Sequence, residues 1–133
     1  PHINLRPHPH RGLKTDGSER LIPLIGVSLW AASRIKNKTA GKFCFPRYCD
    51  ETSLKSNAAS AAINKWLKAV VGSHPVLHGL RHGFRDRLRS VEAPVELIDQ
   101  LGGWSLRSVG EGYGDGYPMD VLDRWMQRIV MEE

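Results

Sequence analysis

The feature that most constrains the fold is an apolar stripe in residues 77–88 that has the period of an α-helix. Leu77, Leu80, Phe84 and Leu88 recur at steps of three or four residues, so they share one helical face. A chain of 133 residues is long enough for one domain with a single modest core. The sequence therefore predicts a helix here that buries this face in the core.

A basic flank accompanies the stripe. His78, Arg81 and Arg85 fall along one side of the same predicted helix. The planar guanidinium group of arginine binds phosphate oxygens through two parallel hydrogen bonds, so this flank predicts a rigid anion-binding surface. Taken alone, His78 and Arg81 are also explained by a solvated helix start.

Capping residues and breakers bound the other predicted helices. One helix spans about residues 28–37 and begins at Ser28, a good N-cap residue. Pro94, at a first helical position, opens another helix, which the Gly102–Gly103 pair ends. Apolar pairs that recur every four residues predict two more helices, at about 53–71 and 119–131.

Trp66 lies within the helix predicted at 53–71. At this position in the double apolar column, we expect its ring to pack in the core. A base-stacking role for Trp66 is the alternative.

The N-terminal region predicts a small β-hairpin. Ile3 and Leu5 alternate as in a short strand, and residues 21–25 form a plausible return strand at a sheet edge. Between them, Asp16–Gly17 is a strong turn signal, which places Lys14 at the mouth of the hairpin. By itself Lys14 is explained as a solvated charge. The expected fold class is α+β, mainly α-helical, with this small N-terminal hairpin.

The sequence gives little support for a metal site or for a disulfide bond. His2, His8 and His10 suggest a metal site, but they follow no known ligand spacing, so an edge strand and loop is the preferred interpretation. Cys44 and Cys49 form neither a disulfide framework nor a CxxC pair, and we expect both to be reduced.

The overall charge favours a polyanionic partner. The net charge is +5 and the pI is about 9.5, which fits nucleic acid without proving it. No apolar run approaches the roughly 20 residues that span a bilayer, and no signal peptide is visible. We therefore expect a cytoplasmic protein without a membrane partner.

Three pieces of the segment from His78 to Tyr113 resemble the tyrosine recombinases, the phage integrase type in particular. The run H-G-L-R-H contains an H-x-x-R motif at His78 and Arg81, and L-G-G-W follows, ending at Trp104. Tyr113 lies nine residues beyond Trp104. Further upstream, K-T-D-G-S-E-R-L-I-P-L resembles the family's hairpin segment, so the resemblance runs from about Lys14 to the final helix.

The resemblance implies a catalytic set of five residues. It implies that Tyr113 attacks a DNA phosphodiester to form a 3′-phosphotyrosine, while Arg81 and Trp104 hold the phosphate. His78 would assist proton transfer, and Lys14 would protonate the leaving 5′ oxygen. The implied reaction is site-specific recombination of double-stranded DNA without a cofactor or a metal, by a homotetramer that exchanges its C-terminal helix.

One departure from the family pattern matters. The family's first catalytic arginine lies on a helix upstream of the hairpin, and neither Arg6 nor Arg11 matches it. We therefore expect residues 1–133 to be part of a single catalytic domain, without its N-terminal part and the DNA-clamping domain, and inactive alone. The alternatives are a type IB topoisomerase-like enzyme and a non-catalytic DNA-binding module of the same ancestry.

Tyr117 is the second candidate nucleophile, four residues beyond Tyr113. It precedes Pro118, which restricts its backbone to extended conformations at the start of the last helix. The spacing from Trp104 favours Tyr113, so we expect Tyr117 to anchor the last helix with its ring against the core.

Overall fold

The computed structural model describes residues 1–9, 12–13, 18–38, 41–72, 76–104 and 116–130. These residues form five α-helices and one two-stranded antiparallel sheet, which confirms the predicted α+β, mainly helical class. The elements in chain order are β1 (His2–Leu5), β2 (Arg20–Pro23), α1 (Gly26–Lys38), α2 (Ser56–Val71), α3 (Leu77–Ser90), α4 (Val95–Gly102) and α5 (Met119–Gln127).

The two predicted strands pair with each other. His2 lies opposite Pro23 and Leu5 lies opposite Arg20. Within β2, Leu21 is exposed while its neighbours Arg20 and Ile22 are half-buried, so alternation turns the Arg20 side chain towards the interior. The predicted turn at Asp16–Gly17 lies outside the described residues.

The core lies where the second half of α3 meets α4, α5 and β2. Leu88 and Leu97 have no exposed surface, and Leu101 and Leu122 are nearly as buried. These leucines come from three successive helices, α3, α4 and α5, and they lie in one hydrophobic cluster. Burial of this kind supplies most of the stability of a small domain.

The predicted apolar stripe of α3 is buried at its C-terminal end only. Leu88 is fully buried and Phe84 packs against the core, whereas Leu80 is 60% exposed. The reason is that α4, α5 and β2 cover the second half of α3. The first half meets α2, where the Asn64 side-chain oxygen accepts a hydrogen bond from the Leu77 N–H (2.6 Å).

The expectation that Trp66 packs in the core is wrong for this chain, because Trp66 is 60% exposed. Val70 and Val71 on the same helix are also exposed, and Leu67 is the residue of α2 that is buried. A helix buries only the face that a neighbour covers. Since α3 touches α2 along one edge, most of the double apolar column faces outwards.

Helix boundaries differ slightly from those predicted. α1 begins at Gly26, and Ser28 lies inside its first turn, where its Oγ accepts a hydrogen bond from the Ile25 N–H (3.0 Å) and donates one to the Ile25 carbonyl (2.6 Å). Ser28 therefore caps the helix from within. Pro94 is the N-cap of α4 and precedes its first residue. α5 ends at Gln127, where the prediction extended to residue 131.

Among the described residues, no helix is long and apolar enough to cross a membrane. The same residues contain no group of three or more His, Cys, Asp or Glu side chains that could hold a metal ion. His10, one of the three histidines considered for a metal site, lies outside them.

Candidate functional site

The candidate site is built on the C-terminal end of α4. Gly103 adopts the left-handed conformation (φ 62°), and its N–H and that of Trp104 both donate to the Asp99 carbonyl oxygen, the latter at 3.0 Å. The bond from Trp104 is the 6→1 bond of a Schellman motif and the bond from Gly103 is the 5→1 bond of an αL motif, and together they end the helix and turn the chain. The predicted end of this helix at Gly102–Gly103 is thereby confirmed.

The turn folds the Trp104 ring back onto Gly102. A Cβ atom built on Gly102 would lie only 1.6 Å from Cζ3 of the indole. Because no side chain could occupy that space, glycine at position 102 is what allows the ring to lie flat against the end of α4. Trp104 is half-buried there and packs against the hydrophobic core.

Two arginines of α3 lie over this ring. The guanidinium carbon of Arg81 is 4.3 Å from the Trp104 ring centroid, and that of Arg85 is 4.8 Å away. Both distances are within the range of cation–π attraction. Arg81 also donates from Nη1 to the Gly102 carbonyl oxygen (2.7 Å), so it caps the helix end on which the ring rests.

Arg85 is neutralised from within the site. Its Nη2 group lies 3.2 Å from Oδ1 of Asp99, a carboxylate on α4 that is almost fully buried. A buried carboxylate is stable when a cation pairs with it, so this pair ties α3 to α4. The Nε atom of Arg85 is buried without a hydrogen-bond partner among the described residues.

Arg20, from β2, is a third arginine at the same helix end, and it was not among the site residues predicted from the sequence. Its Nε donates to the Leu101 carbonyl oxygen (3.0 Å) and its Nη1 donates to the Ser18 carbonyl oxygen (2.8 Å). Burial lowers the pKa of Arg20 from its ordinary value, and the charge of Arg81 lowers it further. The sequence does contain one signal for Arg20. Side chains alternate between the two faces of a strand, so Arg20 shares a face of β2 with the half-buried Ile22.

The predicted site residues divide into three groups. The structure brings Arg81 and Trp104 together. It places His78 on the exposed surface of α3, where its ring makes an edge-to-face contact with that of His82 at 5.0 Å. Lys14 and Tyr113 lie outside the described residues.

Positions 105–115 lie outside the described residues, and residues on both sides of them bond to α4. On one side, the Trp104 N–H donates to the Asp99 carbonyl oxygen. The Gln100 side chain accepts a hydrogen bond from the Tyr117 N–H (2.8 Å) and donates one to the Tyr117 carbonyl (3.0 Å). The Tyr117 ring packs against the core, so the prediction that this residue anchors α5 is confirmed.

The arrangement is suited to binding an anion. The C-terminal end of a helix carries partial negative charge, which attracts the cations Arg20 and Arg81 to its carbonyl groups. Asp99 compensates one of the three guanidinium charges, and the other two are left without a carboxylate partner among the described residues. A half-buried surface with this excess of positive charge favours an oxyanion such as a phosphate group.

Comparison with protein-family models, with curated proteins and with solved structures found no match to this chain.

Proposed function

We propose that this protein cuts and rejoins strands of double-stranded DNA through a covalent tyrosine intermediate, in site-specific recombination or integration. The observation that carries the proposal is the contact of Arg81 with Trp104 at the end of α4. These residues belong to two separate pieces of the recombinase-like pattern, the H-x-x-R and the G-G-W. Their contact is what a shared phosphate-binding role requires.

The proposed chemistry assigns one or two residues to each requirement of phosphoryl transfer. The Tyr113 oxygen attacks the phosphorus, a 3′-phosphotyrosine bond forms, and the bond to the 5′ oxygen breaks. Arg81 and the indole N–H of Trp104 stabilise the charge on the non-bridging oxygens. His78 assists the transfer of the tyrosine proton, and Lys14 gives a proton to the leaving 5′ oxygen.

The reaction is proposed to need neither a metal nor a cofactor. The phosphotyrosine bond conserves the energy of the phosphodiester, so a 5′ hydroxyl can attack it and restore the strand. A tyrosine hydroxyl has an ordinary pKa of about 10, so cationic neighbours are needed to make it a nucleophile near neutral pH. Arg20 and Arg81 supply positive charge at the end of α4.

Binding to duplex DNA is the first measurable consequence. We expect the 133-residue chain to bind labelled duplex weakly and with little sequence preference, with an affinity that falls steeply as salt rises. Arg81→Gln should weaken binding more than Arg89→Gln, which removes the same charge from an exposed position of the same helix. The measurement is a titration by fluorescence anisotropy at two salt concentrations. Affinity independent of salt, or equal losses in the two variants, would contradict a phosphate contact by Arg81.

Covalent capture tests the strand-cutting reaction itself. A nicked duplex that loses a short fragment after cleavage traps the phosphotyrosine bond, and the adduct is seen on a denaturing gel. The polypeptide assayed should also supply the upstream arginine of the recombinase pattern. Duplex binding without an adduct would favour the non-catalytic DNA-binding module. An adduct accompanied by relaxation of supercoiled DNA, without strand exchange, would favour the topoisomerase-like enzyme.

We also propose that four copies assemble on DNA and exchange their C-terminal helices. In the single chain, Leu122 and Met126 of α5 are buried against its own core, beside β2. Exchange would transfer the same apolar contacts to a neighbouring copy, so it would need no new surface. Because deletion of 119–133 removes these core residues, disulfide trapping between copies is the cleaner test. Cross-links confined to single chains on a paired DNA site would contradict exchange.

A further inference from the structure

We propose that Arg20 and Arg81 together form a two-guanidinium site that binds one phosphate oxyanion at the C-terminal end of α4. Arg20 is thus a second phosphate-binding residue, supplied by the sheet and not by the helix that carries Arg81. The inference rests on the proposed function, because it takes a phosphodiester of DNA as the ligand of this site.

The first support is the position of the two guanidinium groups. Arg20 donates to the Leu101 carbonyl (3.0 Å) and Arg81 donates to the Gly102 carbonyl (2.7 Å). These carbonyl groups are consecutive, so one helix end holds the two cations side by side. At Gly103 a Cβ atom would lie 2.2 Å from Nη1 of Arg20, so the absence of a side chain there lets Arg20 approach.

The second support is the balance of charge. Asp99 pairs with Arg85, whereas no carboxylate lies within salt-bridge distance of Arg20 or Arg81 in the part of the chain that is described. Burial lowers the pKa of Arg20 and the charge of Arg81 lowers it further, because like charges at close range repel each other. An anion between them replaces this repulsion with two attractions.

The third support is the supply of hydrogen-bond donors. A guanidinium group has five N–H donors in a fixed plane. Arg20 uses donors on Nε and Nη1 for backbone carbonyls, and Arg81 uses one on Nη1. The remaining donors of the two groups are sufficient for bidentate binding of phosphate oxygens. The backbone hydrogen bonds hold both groups in place before the ligand arrives.

The experiment measures phosphate binding in the 133-residue chain. Thermal unfolding is followed by circular dichroism with and without inorganic phosphate, and sodium chloride keeps the ionic strength constant. A ligand that binds only the folded state raises Tm, and the increase grows with the logarithm of 1 + [L]/Kd. We expect phosphate to raise the Tm of the wild type, and Arg20→Gln and Arg81→Gln each to weaken phosphate binding roughly tenfold. Arg89→Gln, an exposed change of equal charge, should retain the wild-type response.

A second variant separates binding from folding. Arg20→Lys keeps the charge but has no planar fork, so we expect its response to phosphate to lie between those of the wild type and Arg20→Gln. If Arg20→Gln lowers Tm but the increase caused by phosphate is unchanged, Arg20 is only structural and the proposal is overturned. The proposal is also overturned if phosphate does not stabilise the wild type.

Titration of the same variants with duplex DNA distinguishes this inference from the proposed function. If Arg81→Gln loses duplex affinity while Arg20→Gln responds to phosphate and DNA as the wild type does, the inference fails and the proposed function stands. If Arg20→Gln and Arg81→Gln lose phosphate binding but bind duplex normally, the two-guanidinium site is supported with a free phosphate as its ligand. In that case it is the proposed DNA contact that fails.

Discussion

Tyr113→Phe is expected to abolish covalent capture of a nicked DNA substrate. The substitution keeps the aromatic ring and removes only the hydroxyl oxygen that the proposed reaction joins to phosphorus. Folding and duplex binding should therefore survive, since binding depends on contacts of cations with phosphate groups. The measurement is the yield of the protein–DNA adduct on a denaturing gel, in a polypeptide that also supplies the upstream arginine.

Tyr117→Phe is the matched control for this experiment. Gln100 holds Tyr117 through its backbone N–H and carbonyl, and the ring packs against the core, so loss of its hydroxyl leaves these contacts in place. Adduct formation should continue in this variant. An adduct with Tyr113→Phe and none with Tyr117→Phe would reverse the assignment of the nucleophile.

Gly102→Ala is expected to disrupt the candidate site and to destabilise the fold. The new methyl group would overlap the Trp104 ring, since a Cβ atom here lies 1.6 Å from Cζ3. Overpacking of this kind costs about 1–3 kcal/mol, which equals or exceeds the roughly 1 kcal/mol that alanine gains over glycine in a helix. The ring must move, and Arg81 then loses the surface on which it rests. Urea unfolding and a duplex titration should both show a loss.

The control for this variant is Gly79→Ala, a glycine of α3 with no neighbour near its Cβ position. Because the new methyl group meets no other atom there, only the higher helix propensity of alanine counts. The free energy of unfolding should rise by up to about 1 kcal/mol, and duplex affinity should not change. Equal stability changes in Gly102→Ala and Gly79→Ala would show that the Trp104 ring does not depend on position 102.

The end of α4 links the stability of the domain to its proposed activity. Arg20 and Arg81 donate hydrogen bonds to the Leu101 and Gly102 carbonyl groups at this helix end. The Trp104 ring packs against the core on one side and contacts Arg81 and Arg85 on the other. A change that loosens the helix end should therefore reduce both stability and anion binding. By contrast, a change at the exposed Trp66 should alter neither property within the single chain.

Local patterns in the sequence determined the kinds of element and most of their positions. The helices around Leu88 and Leu122 follow from the period of their apolar residues, because burial on one face requires that spacing. The end of α4 follows from its glycine pair, because Gly103 enters the left-handed turn easily without a Cβ and Gly102 leaves room for the ring of Trp104.

The tertiary structure alone decided which apolar faces are covered and which cations meet. The period of apolar residues predicts that a helix has an apolar face, but it does not predict whether another element covers that face. Trp66 and Leu80 are exposed because no element covers them among the described residues. Arg20 and Arg81 are far apart in the sequence, and no local period relates a strand to the end of a distant helix. The two guanidinium groups come together only because β2 and α3 both pack against α4. This packing brings both side chains to the carbonyl groups of Leu101 and Gly102 at the end of α4.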